Sequence, residues 1–283
     1  MLAAQGRLHA AQGRTTLALA YYRRALTLDA AAPGVQQEYD DLRAERAHRV
    51  EVGYMLEHFD TDIPDPQAGF GTVNAAVSDT FRVSGTVQHQ RKFSISETRG
   101  GGGIEWTPRD NFKLYGGALV GDDALILPGV DGYGGIAYRY GRATWSFDVR
   151  VADFDQLSVN VIGGGWRFAL ASQSAVWVKY YRFETDYESA RSDVVQSWVI
   201  GGVGRVTPVW SLGAEYTRGP DQLEMLTIDR TGEFEANTLS VMTDFRLTPM
   251  LSLDGRYDYQ ARSEVLDDEP RVHRATIRLV TRF

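Results

Sequence analysis

From His48 onward the sequence changes side-chain character at every second residue, and no other feature restricts the fold as strongly. Ala143, Trp145, Phe147, Val149 and Val151 alternate with Thr144, Ser146, Asp148 and Arg150. The stretches Trp210–Tyr216 and Leu251–Tyr259 repeat the pattern. A period of two puts the two sets on opposite faces of an extended strand. About fourteen such segments follow one another, near 48–59, 69–78, 81–92, 98–106, 112–121, 131–140, 143–152, 156–169, 174–183, 191–206, 209–218, 236–247, 250–262 and 271–283. The eighth to tenth alternate weakly, and the glycines at 163–165 suggest a bend there. No apolar run approaches the roughly 18–20 residues of a membrane-crossing helix. The chain has no Cys, which removes disulfides, thiolate metal sites and cysteine nucleophiles.

The connections alternate in length. Short turns are expected at 79–80, 107–111, 141–142, 170–173, 207–208 and 248–249. Longer loops are expected at 60–68, 93–97, 122–130, 184–190, 219–235 and 263–270, with a short exception at 153–155. Short turns on one side and long loops on the other mark an antiparallel β-barrel of the outer-membrane type. An even strand number returns the chain to its starting side, so both termini are expected in the periplasm. Trp106, Phe112, Tyr140, Trp145, Trp210 and Phe245 lie beside the short turns on the apolar parity, as a membrane girdle requires. Ala275, Ile277 and Leu279 share one parity of the last segment and lead to terminal Phe283. A final amphipathic strand ending in Phe resembles the signal read by the barrel assembly machinery.

Residues 1–47 read differently, as helix. Apolar positions recur at helical spacing through Leu17, Ala18, Tyr21, Tyr22, Ala25 and Leu28, and a second helical stretch begins near Val35. Residues 13–33 resemble the second half of a tetratricopeptide repeat. Gly13 falls at the turn, and Ala18, Tyr22 and Ala25 fall at the small–aromatic–small packing positions; Ala30 stands where the family usually has Pro. One repeat cannot bury its own faces. The expectation is that Met1 is not the natural start and that further repeats and a secretion signal precede it.

The two parts together resemble the YaiO-like outer-membrane β-barrel family. The resemblance rests on the opening VEVGYMLEHF, the repeated Thr-Pro turns (TPRDN, TPVW, TPML) and the closing IRLVTRF. It implies an outer-membrane location, preceding tetratricopeptide repeats in the periplasm, and an association with export or modification of surface polysaccharide.

Strand parity nominates the charges that line the lumen: Glu51, Glu57, Arg82, Glu105, Lys113, Arg139, Asp148, Arg150, Lys179, Glu215, Asp244, Arg246, Asp254, Arg256, Asp258, Arg274 and Arg278. Two readings stay open for them. They line a wet channel for a polar solute, or they pair and fill a closed lumen. The net charge of −7 divides unevenly. Windows 60–70, 94–97, 121–131, 153–155, 184–190, 219–235 and 263–270 hold 21 of the 37 acids but only Arg230 of the 30 bases. That acidic rim suits contact with the cation-bridged lipopolysaccharide layer, and the overall acidity argues against a nucleic-acid partner. No loop shows the spacing of a dedicated calcium site, so no metal or cofactor is expected. His58 with Asp60, or His89 with Ser94, are the only pairs suggestive of hydrolysis, and nothing in the sequence fixes their geometry. The four glycines at 100–103 precede a strand rather than a helix, so they answer to barrel curvature or a bulky neighbour and not to phosphate. The expected function is a non-enzymatic barrel that passes or exports a polar solute, with surface polysaccharide as one candidate, and with helices that dock a periplasmic partner. The alternatives are a plugged adaptor barrel and an outer-leaflet hydrolase.

Overall fold

A computed structural model describes the chain apart from residues 12–14, 31–33, 61–63, 79, 110, 123, 172–173, 189–191, 221–234 and 264–270. Three helices come first: α1 (Leu2–Ala11), α2 (Thr15–Leu28) and α3 (Val35–Arg46). The described residues then form fourteen strands. They are β1 (Arg49–Phe59), β2 (Gln67–Ala76), β3 (Phe81–Lys92), β4 (Ile95–Arg109), β5 (Phe112–Gly121), β6 (Val130–Tyr140) and β7 (Ala143–Asp153). The second seven are β8 (Leu157–Ala171), β9 (Ser174–Tyr187), β10 (Ser192–Thr207), β11 (Trp210–Arg218), β12 (Glu235–Thr248), β13 (Leu251–Ser263) and β14 (Arg271–Arg282).

Each strand pairs antiparallel with its sequence neighbours, and β1 pairs with β14 from Arg49↔Arg282 to Phe59↔Val272, so the sheet closes on itself. His48 and Phe283 extend that seam by exchanging two backbone hydrogen bonds of 3.0 Å each. Closure leaves no strand edge to aggregate.

The alternation decides which face is which. Val52, Ile104, Trp145, Phe147, Ile200, Tyr216 and Ile277 all point outward and are exposed. Large apolar side chains around the whole outer wall would be costly in water, and lipid tails cover them without penalty. The same parity places Trp106, Tyr140, Trp145, Trp210 and Phe245 on the outer wall near the short turns, with Phe112 on the same face.

The turns explain the Thr-Pro repeats. The backbone N–H of Val209 donates to Thr207 Oγ1 (3.3 Å), and that of Met250 to Thr248 Oγ1 (3.2 Å). Thr closes a local turn through its hydroxyl while Pro fixes φ. Register shifts sit beside all three Thr-Pro steps, at Trp106/Arg109, Arg205/Thr207 and Arg246/Thr248. At the other end one expectation is overturned. Residues 93–97 are not a long loop, because β3 and β4 join through Phe93 and Ser94 alone, both left-handed (φ 52° and 64°). That backbone matches strand twist in a two-residue hairpin, and its usual Asn-Gly signature is missing here.

The helices form a small core of their own. Ala18, Tyr22, Ala25 and Val35 are buried, with Leu2, Ala10, Tyr39 and Leu42 packed around them. Gly6 leaves room for the Tyr22 ring, since a Cβ there would stand 2.6 Å from it. Arg7 clamps α1 to α3 through hydrogen bonds of 2.8–3.0 Å to the Glu38 carboxylate. Asp41 of α3 reaches Arg246 of β12 at 3.6 Å, which ties the helices to the short-turn end of the barrel. Gly13, Pro33 and Asp79 lie outside the described residues.

Candidate functional site

The inside of the barrel is built in two unlike halves. Toward the long loops the inward charges are Glu57, Glu97, Asp131, Asp193 and Asp258 against Lys92, Arg99, Arg150, Arg262 and Arg274. The two signs are equal in number, and every one of these residues is at most 7% exposed. Asp131 accepts from Arg99 at 2.8 Å and from Arg150 at 2.5 and 2.7 Å. Arg274 approaches Asp258 at 3.3 Å and Glu57 at 3.9 Å, while Lys92 lies 3.6 Å from Glu57. The Lys92 ammonium also sits 5.2 and 5.3 Å from the ring centroids of Phe59 and Phe93. Buried charge persists only when paired and hydrogen-bonded, so this half is a neutralised network.

An apolar core sits beside that network. Ala152, Leu157, Val159, Val161, Tyr181, Phe183 and Val199 face inward from β7 to β10 and pack together with Phe154. The loop between β5 and β6 adds a cap. Glu97 accepts the backbone N–H groups of Leu125, Ile126 and Leu127 at 2.7–3.1 Å, and Ile126 and Leu127 are each 1% exposed. One carboxylate thus holds three successive amides, an arrangement that fixes loop backbone strongly.

Toward the short turns the balance changes. Inward bases are Arg49, Arg82, Lys113, Arg139, Arg167, Lys179, Arg205, Arg246, Arg256, Arg278 and Arg282. Inward acids are Glu51, Glu105, Asp148, Glu215, Asp244 and Asp254. Eleven against six leaves a surplus of five positive charges. Apart from Glu51, these side chains are half-buried or exposed. Several pair, Lys113 with Glu105 (3.3 Å) and Arg278 with both Asp254 (2.7 Å) and Glu51 (3.2 Å). Arg256 bridges the halves, reaching Glu215 at 3.2 Å and Asp258 at 2.6 Å. Among the described residues Arg167, Lys179 and Arg205 make no ion pair.

Aromatic rings lie flat on this inner wall wherever a glycine faces them. A Cβ on Gly201 would meet the Trp177 ring at 2.6 Å, and one on Gly135 would meet the Tyr115 hydroxyl at 2.6 Å. Gly103 and Gly117 make the same room for Tyr133 (2.8 and 2.6 Å). The glycines at 100–103 therefore serve both curvature and a bulky neighbour, as Gly101 and Gly102 also lie against strand backbone. Trp177 Nε1 donates to Glu215 (2.8 Å), and the Arg167 guanidinium stands 5.9 Å from its ring centroid.

The fold has solved counterparts. It is that of outer-membrane β-barrels. A Pseudomonas aeruginosa FadL homologue superposes with a TM-score of 0.53 at 11% identity, covering 83% of this chain and 89% of that one. A bacterial polysaccharide outer membrane secretin gives 0.53 at 9% identity, over 84% of this chain and 99% of that one. No family model and no curated protein matches the sequence.

Parity alone locates the nominated charges but not their neighbours. Glu57, Arg150, Asp258 and Arg274 fall in the buried half, and the others of that set fall in the accessible half or at its border. Glu97 and Asp131, counted with the acidic loops, are instead buried lumen residues. Lys92, Arg99 and Arg262 also escape the sequence reading, although their parity carries the signal. The histidine pairings differ from expectation. His58 bonds Asp65 (2.8 Å), while Asp60 lies 3.8 Å from His273. His89 touches Thr98 (2.8 Å) and Ser96 (3.4 Å), not Ser94, and among the described residues no carboxylate orients it. No group of three His, Asp or Glu among the described residues is arranged to hold a metal. Most of the acidic loops at 219–235 and 263–270 lie outside the described residues.

Proposed function

We propose that this chain is a bacterial outer-membrane barrel that passes a polar solute, entering from the periplasm through the short-turn end. The carrying observation is the divided lumen: an accessible half with five surplus positive charges beneath a buried half of equal charge. Charge that only braced the wall would balance in both halves. The likeness in fold to outer-membrane barrels supports the location. The segment 124–129, held by Glu97, is then the closure at the outer end. The Asp41–Arg246 contact ties helices α1–α3 to the short-turn end, which supports a reading in which they face the periplasm and dock a partner. Phe283, at the closing seam, serves as the assembly signal.

Purified protein in planar bilayers tests this. Discrete ion currents are expected, and their absence in both the parent chain and a variant freed of the Glu97 anchor would defeat the passage reading. The buried outer half favours one second reading, a plugged barrel that acts as a scaffold for proteins held by the helices. Null conductance in both forms would support it.

A further inference from the structure

We propose that the accessible half of the lumen is a binding site for an acidic polysaccharide. The inference rests on the passage reading above and narrows its solute to one chemical class. Arg167, Lys179 and Arg205 face inward from three adjacent strands, β8, β9 and β10, and none forms an ion pair among the described residues. A cation in the interior of a barrel needs water or an anion beside it. The acids of the same strip are already engaged: Glu215 accepts from Trp177 and Arg256, and Asp148 accepts from Tyr115. Arg205 donates to the turn carbonyls of Thr207 and Pro208 and Arg167 stands over Trp177, contacts that hold these cations on the inner wall without neutralising them.

The flat aromatics define the rest of the ligand. Gly201 lets Trp177 lie against the wall, and the Arg167 guanidinium stands 5.9 Å from its ring centroid. Tyr115 lies over Gly135 in the same way, with Lys113 Nζ 5.4 Å from its centroid. An aromatic face stacks on the C–H face of a pyranose ring, and a neighbouring cation takes a carboxylate. Rings alternating with bases thus fit a chain whose every unit carries a sugar face and a negative charge. A neutral glycan would leave the cations unused, and a small anion would leave the rings unused.

The test reads binding rather than transport, so its outcome is separate from that of the conductance experiment. Full-length protein in detergent is titrated with hexagalacturonate, maltohexaose of equal length, and tripolyphosphate, by calorimetry and by Trp emission. Of the six tryptophans only Trp177 faces the lumen, so Trp177→Phe isolates its signal. Hexagalacturonate is expected to bind and to change Trp177 emission, with affinity falling as salt rises. Maltohexaose should bind much more weakly. The variant R167Q/K179Q/R205Q, checked for folding by heat-modifiable gel migration, should weaken hexagalacturonate roughly tenfold. If it fails to fold, each single variant should weaken binding about two- to threefold. Equal binding of the neutral hexamer, unchanged affinity in the folded variants, or no binding of hexagalacturonate would each overturn the proposal. Binding of tripolyphosphate as tight as that of the hexamer would reduce the site to a plain cationic groove and overturn the glycan assignment.

Discussion

The Glu97 carboxylate accepts the backbone N–H of Leu127 at 2.7 Å across thirty residues of chain, and it does so inside the barrel. With its other contacts, to the amides of Leu125 and Ile126, it anchors residues 125–127. Glu97→Ala strands three amides, each costing about 1–3 kcal/mol if it stays buried. The loop should therefore leave rather than remain unsatisfied. Larger single-channel conductance is expected for Glu97→Ala, and an intermediate value for Glu97→Gln, which keeps one acceptor. Identical currents in all three would show that the loop does not close the path.

Asp131 lies between two guanidiniums, Arg99 and Arg150, in the buried half. Removing it leaves two like charges with no counter-ion. Asp131→Ala should lower stability by about 3–5 kcal/mol, read as the urea midpoint for unfolding from lipid vesicles. Replacing all three residues by Met and Leu should cost much less, because no orphaned charge remains. A single substitution as mild as the triple one would mean that water reaches this half.

The ring–glycine contact is equally exacting. At Gly201 a methyl group would meet Trp177 at 2.6 Å, too close for the ring to stay. Gly201→Ala should shift the Trp177 emission and destabilise the barrel by about 1–3 kcal/mol. Gly204, where a Cβ meets nothing within 4 Å, is the control and should accept Ala with little change.

Most of this architecture is legible in the sequence because lipid enforces it. Trp145, Phe147 and Val149 must face outward whatever the interior holds, so period two survives along the chain. The interior obeys no such rule. Val159, Val161 and Phe183 face inward into an apolar core while Ile162 and Tyr180 face lipid, so both faces of β8 and β9 are apolar and the alternation fades. Weak alternation there records a second core, not a missing strand. Glu97 was hidden for a related reason: a carboxylate next to a turn looks like a solvated loop residue until the loop it anchors is seen to fold back. The pairing of Asp131 with Arg99 and Arg150 joins residues from three strands, and no local pattern reports it.

The helical segment has its own pH dependence. The hydrogen bond from Arg7 holds the Glu38 carboxyl below its ordinary value of 4.5. A depressed acid contributes stability that is full above the unfolded value and is lost as pH falls through the folded one. Protection of α1 against hydrogen exchange, corrected for its intrinsic rate, should therefore hold from neutrality to about pH 5 and decline below pH 4. The sign reverses on the alkaline side. Burial pushes the Tyr22 hydroxyl from 10.0 up to about 12, so protection present below pH 10 is lost as pH climbs toward 12. Glu38→Gln should flatten the acid limb and also begin the alkaline loss at lower pH, because the Glu38 carboxylate adds to burial in holding the Tyr22 hydroxyl protonated. An unchanged acid limb in that variant would assign it to other carboxylates.

The division between lipid and lumen can be tested at one depth with two adjacent residues. Phe147 points outward and is exposed, whereas Ser146 points inward beside Gly165, facing the accessible half. Arginine at Phe147 must leave its charge in hydrocarbon, at a cost of about 2–4 kcal/mol near the bilayer midplane. Arginine at Ser146 meets water, and pays only mild repulsion from the surrounding bases. Phe147→Arg should therefore fold far less completely into vesicles than the parent chain, by heat-modifiable gel migration, while Ser146→Arg should fold almost normally. In detergent the gap should narrow, because a micelle deforms around a charge more readily than a bilayer does. Equal folding of the two variants in vesicles would mean that the outer wall is not in lipid, and the membrane reading would fall with it.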